Sequence, residues 1–424
     1  MKYLLMATAL VCFISSCKNN TEEKHAPASA KSILADSHFA TSCPFLTKDL
    51  KNNIVLSFIK EINDSVAVMH YAVSKDKGIS FGAPIEIPAS KNVLPSGENM
   101  PKMVFKPNGE IIAVWGVENA NEINKYSGLV YYSQSFDDGK NWSEAKPLVN
   151  DTASFDQRYF DVALLKNGEA GIIWLDNRKT TDKEGSTLYF ATTNAKNGFE
   201  NEKPIAETLC QCCRTDLFLD ATGNIHAAFR NIINDTVRDM AHIVSIDEGK
   251  TFSRPKRISE DNWIISACPH TGPSMAENNT GLHFAWHTMG SGEGVFYCSS
   301  TDHGKTFSKR ENISEEPSAR HPQITALPNG GLVTVWDESV QVGEYYNSWI
   351  GLQHRNENGK VLSKEYITSN QMIAEFPLVQ AVDDDSVLLV WVQKERESKN
   401  TEKAGMHHSS GKGGQVYFKK MVFK

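Results

Sequence analysis

The chain has 424 residues, 22% of them charged and 40% hydrophobic, and its 44 basic against 51 acidic side chains leave a net charge of −7 and a pI near 6.0. That length supports a large core, and the lack of a basic excess argues against nucleic acid as a partner. In chain order, Met1-Lys2 followed by the apolar run from Leu4 to Ile14 reads as a signal peptide, too short to stay in a bilayer as a permanent helix. The signal is expected to span residues 1–17 and end at Cys17, followed by a polar tether over 18–41 and one folded domain over 42–424.

The sequence Ile14-Ser15-Ser16-Cys17 resembles the lipobox of bacterial lipoproteins. The resemblance implies cleavage before Cys17 and its lipidation. The protein is therefore expected at the bacterial cell envelope, periplasmic or surface-exposed, touching membrane only through that anchor.

From residue 42 onward the chain repeats. Strands running into an aromatic residue recur at Phe58, Trp115, Trp174, Phe229, Trp286, Trp336 and Trp391, 50 to 59 residues apart. Each unit has the same order: a first strand, a turn such as Lys106-Pro107-Asn108-Gly109 or Pro328-Asn329-Gly330, a second strand ending near the aromatic, and a third strand. No segment has helical periodicity. Repeated four-stranded antiparallel units of this length predict an all-β protein, a single β-propeller of seven blades. The last unit carries a polar stretch, Glu395 to Gly414 with His407 and His408, and the ring is expected to close with a strand from Lys31 to Phe39 beside Gln415 to Lys424.

After the third strand, four units read Ser-x-Asp-x-Gly-x-x-aromatic, centred on Asp76, Asp137, Asp247 and Asp302. The Asp can accept hydrogen bonds from turn amides, and the Gly takes a conformation that side chains disfavour. These turns resemble the Asp box (BNR repeat) of the sialidase superfamily of β-propellers. The resemblance implies that they are structural and lie opposite the active site. It also supplies the alternative of six blades, the number in sialidases.

In an antiparallel blade, the start of the first strand and the end of the second share a face around the channel. Those positions supply Arg158, Tyr159, Asp176, Arg178, Arg214, Arg230, His287, Arg320, His321, Asp337, Glu338 and Glu375 as ligand-binding candidates. The sialidase resemblance implies three arginines on a substrate carboxylate and a Tyr–Glu nucleophile pair. The family's Arg-Ile-Pro motif is absent, and Glu344-Tyr345-Tyr346 matches that pair in residue type alone. Catalytic residues therefore stay unassigned. The expected partner is a glycan or other anionic small ligand, bound by a monomer, and an enzyme built on this plan would be a sialidase-like glycoside hydrolase.

Cys210-Gln211-Cys212-Cys213-Arg214 opens the fourth unit, and Cys268-Pro269-His270-Thr271-Gly272-Pro273 opens the fifth. Both resemble stretches in other bacterial Asp-box proteins. If these segments meet, Cys210, Cys212, Cys213, Cys268 and His270 offer two readings: disulfides, natural in an exported chain, or ligands for Cu or Zn. A metal-centred propeller or a protein-interaction platform is thus the alternative to a glycan-directed one. Cys298, in a third strand, is expected to be a buried free thiol.

Overall fold

The computed structural model describes residues 29–34, 38–63, 65–342, 345–369, 372–394 and 413–423. Cys17, Glu344, His407 and His408 lie outside them. Pairing of consecutive strands produces seven four-stranded antiparallel blades. The first three are Thr41–Lys48, Ile54–Asn63, Val66–Ser74, Ile85–Glu86; Lys102–Phe105, Ile111–Glu118, Gly128–Ser135, Lys146–Pro147; and Gln157–Leu164, Ala170–Asp176, Ser186–Thr193, Phe199–Leu209. The fourth and fifth are Asp216–Leu219, Ile225–Ile233, Val237–Ser245, Lys256–Arg257, and Ser274–Asn278, Gly281–Thr288, Gly294–Ser300, Glu311–Asn312. The sixth is Arg320–Ala326, Leu332–Val342, Tyr345–Arg355, Val361–Tyr366. The seventh combines Ile373–Asp383, Ser386–Lys394 and Gln415–Val422 with Lys31–Ser32 from the other end of the chain.

The first strand of each blade touches the first strand of the next, and that of the seventh touches that of the first, so the blades form a closed ring. Closure differs in detail from the expectation. Lys31 and Ser32 pair with Phe418 and Tyr417, so a short strand inside the expected tether is the outermost strand of the last blade. Among the described residues the one helical element is a 3-10 turn, Pro88–Ser90, and no helix is long and apolar enough to cross a membrane.

The second strands lie between neighbours on both sides, which explains why they read as nearly unbroken apolar runs. Phe58, Trp115, Trp174, Phe229, Trp286, Trp336 and Trp391 occupy these strands and are all buried. Side chains from each blade also fasten the next around the axis. Ser57 donates to Pro101 O, and Lys102 Nζ lies 2.7 Å from Asp161 Oδ1. Asp161 accepts from Leu217 N, Asp216 from Met275 N, Ser274 Oγ from Ile324 N and Thr325 Oγ1 from Ala381 N.

The four Ser-x-Asp-x-Gly turns join third to fourth strands and repeat one geometry. Buried Ser74, Ser135, Ser245 and Ser300 each accept the Gly amide at 2.8–2.9 Å, while the Asp accepts the amide two residues beyond the Gly. At Gly139, φ is +80° and a Cβ would fall 2.1 Å from Tyr71 Oη, so the turn requires glycine. The turns sit at the same end of the blades as the hairpins between first and second strands: Lys77 pairs with Asp383 there. The starts of the first strands lie at the opposite end.

Candidate functional site

Four first strands begin with the same irregularity. The pairing register shifts between Ser42 and Phe45, Arg158 and Asp161, Arg320 and Gln323, and Glu375 and Leu378. At each shift one non-glycine residue has a left-handed backbone: Cys43 at φ 52°, Tyr159 at 55°, His321 at 52° and Phe376 at 54°. Such bulges remove an amide from the ladder and re-aim a side chain. Three of the freed amides are taken up by the preceding blade. Tyr159 N donates to Asn99 Oδ1 at 2.8 Å, His321 N to Thr271 Oγ1 at 3.4 Å, and Phe376 N to Asp337 Oδ2 at 2.8 Å.

These contacts assemble a polar centre contributed by several blades. His321 Nδ1 lies 2.7 Å from Asp337 Oδ2, which holds the ring, and its Nε2 lies 3.2 Å from Glu98 Oε1. Arg214 Nη1 is 3.9 Å from the same Glu98 oxygen. The Phe376 ring stacks on His321 at 4.3 Å, made possible by Gly97, where a Cβ would fall 2.5 Å from the phenyl ring. Both Glu98 oxygens are buried and have no partner with hydrogen-bond geometry. Burial raises the Glu98 pKa, aided by the Asp337 charge and opposed by Arg214, His321 and Arg320. The net effect is to favour the neutral carboxylic acid relative to an exposed glutamate.

Of the sequence candidates, Tyr159, Arg214, His321 and Asp337 meet here, with exposed Arg320 at the rim. Arg158 pairs with Asp156 at 2.7 Å beside Tyr159, and Glu375 faces Lys394 at 3.6 Å. The others are engaged elsewhere. Asp176 and Glu338 turn back onto their own strands and accept the indole N–H of Trp174 and Trp336 at 3.0 and 2.5 Å. Arg178 is held by Asp176, Asp151 and Glu202 against the Tyr189 ring. Arg230 donates to the carbonyls of Arg238 and His287 and stacks on Trp263, and His287 Nδ1 lies 2.6 Å from Ala319 O. A cavity of about 220 Å³ lined by Asn150, Asp151, Glu200 and Glu202 lies among outer strands, away from this centre.

Sequence reasoning missed Glu98, Asn99 and Phe376. The first two lie between strands, with the Ser96-Gly97 turn as the one available signal, and Phe376 reads as core.

Beside the centre, Tyr159 packs in one cluster with Cys210, Cys212 and Cys213. Cys210 Sγ is 3.6 Å from both Cys212 Sγ and Cys213 Sγ, and all three sulfurs lie within 4.8 Å of one another. Arg238 Nη1 donates to Cys210 Sγ at 3.4 Å, and exposed Cys268, which leads into the fifth blade, interacts electrostatically with Cys212. Hydrogen bonds from its two neighbours, with the charges of Arg230 and Arg238, hold the Cys210 thiol below its ordinary value. The six described cysteines are all unbonded, including buried Cys298, whose pKa is raised by burial.

The ring, with seven blades, is similar in fold to sialidase-type β-propellers. No protein-family model matches the chain, and no curated protein does. Among solved structures it is similar to a Dyadobacter fermentans protein of unknown function, with a TM-score of 0.54 at 12% identity over 94% of this chain and 99% of that one. It is also similar to the Hadza microbial sialidase Hz136, at 0.50 and 15% over 72% and 66% of the two chains. The phage phi92 endosialidase gives 0.50 and 11% over 93% and 69%. At these identities the likeness establishes the fold.

Proposed function

We propose that this protein is a glycan-directed propeller of the bacterial cell envelope, acting on or binding an acidic or hydroxylated sugar at the centre around Glu98. The observation that carries the reading is the Glu98 carboxyl group, buried without a hydrogen-bond partner beside His321 and Arg214. A buried polar group left unpaired costs about 1–3 kcal/mol, and a ligand that satisfies it recovers that cost. With its pKa raised by burial, Glu98 is suited to give a proton to a leaving glycosidic oxygen. Asp337 holds His321 in one orientation, while Arg214 and Arg320 supply positive charge for a carboxylate or a developing oxyanion. The sialidase fold supports this reading by analogy. The envelope placement rests on the apolar run Leu4 to Ile14 and the sequence that ends at Cys17.

The test is a screen of fluorogenic glycosides with binding calorimetry on acidic and neutral oligosaccharides, comparing the wild type with Glu98→Gln. Turnover is expected to fall about 10²–10⁴-fold in the variant while saturable binding persists, because the amide keeps the shape and loses the proton. Neither turnover nor saturable binding of any glycan by the wild type would overturn the reading.

A further inference from the structure

Three of the four residues from Cys210 to Cys213 are cysteines, and their sulfurs point at one place rather than scattering into the core. A cysteine that serves only as a small apolar filler has no need of other sulfurs or of a guanidinium. Here Cys210 Sγ receives Arg238 Nη1, and Arg238 is itself fixed by its Nε to Ile265 O at 3.0 Å. The fifth blade is pressed onto the same place. A Cβ at Gly272 would fall 2.2 Å from Arg214 O, so glycine lets the Cys268 segment lie directly on the backbone that follows Cys213.

The spacing bears on the two chemistries that such a cluster allows. A disulfide needs sulfurs about 2.05 Å apart. Sulfurs bound at about 2.3 Å around a tetrahedral ion sit about 3.8 Å from one another. The two 3.6 Å separations from Cys210 lie close to the second arrangement, and the third pair is within 4.8 Å. We propose that Cys210, Cys212 and Cys213, with Cys268 at the open side, bind one thiophilic d10 metal ion, Cu(I) or Zn(II), next to the polar centre. The donors are soft and the three deeper ones are buried, which suits these ions and disfavours hard, hydrated ones such as Mg(II) or Ca(II). Arg238 offsets the excess negative charge of the thiolates and directs Cys210.

The experiment uses the full chain purified without added metal, analysed for metal content and for thiols after denaturation, with and without reductant. About one ion per chain is expected, Cu or Zn according to the element found, with the cluster thiols titratable without reductant once the ion is chelated. The metal-free protein should then take up Cu(I) or Zn(II) in competition with a chromophoric chelator, the two titrations distinguishing the ions. Cys212→Ser should lose the ion, and Cys298→Ser, remote from the cluster, should keep it. Because Cys212→Ser could unfold the fourth blade, Arg238→Gln provides a second reading, with affinity expected to fall about 10–100-fold at unchanged tryptophan fluorescence. Cluster thiols that appear only after reduction, metal-free protein that binds neither ion, or unchanged affinity in Arg238→Gln would each overturn the assignment.

Discussion

Ser135 accepts the buried Gly139 amide and donates to Asp137 Oδ1, so one buried hydroxyl serves two groups of the turn. Ser135→Ala should cost about 1–3 kcal/mol, read by denaturant unfolding, by stranding that amide. Asp137→Ala should lower the melting temperature and leave ligand affinity unchanged; a selective loss of binding would contradict the placement of these turns at the far end. Buried histidines set the acid limit of the fold. Burial lowers His242 and His287 to about 3 and His283 to about 4, from an ordinary 6.5. The unfolded chain therefore binds protons that the folded chain refuses. Stability from these groups is complete above pH 6.5 and declines as pH falls, by up to about 1.4 kcal/mol per pH unit for each. Glu98 acts in the opposite sense, since its raised pKa favours the fold on acidification. Melting temperatures measured from about pH 7 to 5 should fall; a flat profile would mean that the histidines admit protons when folded. Residue types at strand ends were readable from sequence, but the direction of each side chain was not. Asp337 and Glu338 are neighbours in one second strand, yet Glu338 caps an indole and Asp337 holds His321.

At the scale of elements, period and order were legible because each blade needs one fully buried central strand. The first strand expected over Lys102 to Phe105 is the observed one, and the seven aromatics share one strand position. The bulges were not legible, since nothing local distinguishes Tyr159, His321 or Phe376 from residues in regular strands; the neighbouring blade's side chains accept the freed amides. The acceptors of the tryptophans make a testable contrast. Glu338 takes Trp336 Nε1 and the Tyr366 hydroxyl in a fully buried position. Glu338→Ala should destabilise by about 1–3 kcal/mol, whereas Glu338→Gln, which keeps a carbonyl for the indole, should cost less. Denaturant unfolding checks both, and ligand binding should be unaffected in either.

For the molecule as a whole, the ring depends on contacts between successive blades, several of them buried and ionic. Lys106 is fully buried and reaches Glu110 at 2.7 Å in its own blade and Glu169 at 2.8 Å in the next. Lys106→Ala should cost about 3–5 kcal/mol by leaving the buried Glu110 carboxylate with Gln134 Nε2 but without a counter-charge. A smaller loss by thermal or denaturant melts would mean that water enters the gap between those blades.

The pairing of Lys31 and Ser32 with Phe418 and Tyr417 bears on how the molecule is made. The residues that complete the last blade precede every other strand of the ring, and they wait for their partners until the first six blades have been made. Until Gln415–Val422 has emerged, Ser386–Lys394 presents a bare sheet edge and Lys31–Ser32 has no strand to pair with. A premature stop before that strand and a proteolytic clip after Ser32 would therefore both bare an edge of the last blade, the first by two strands and the second by the outermost alone.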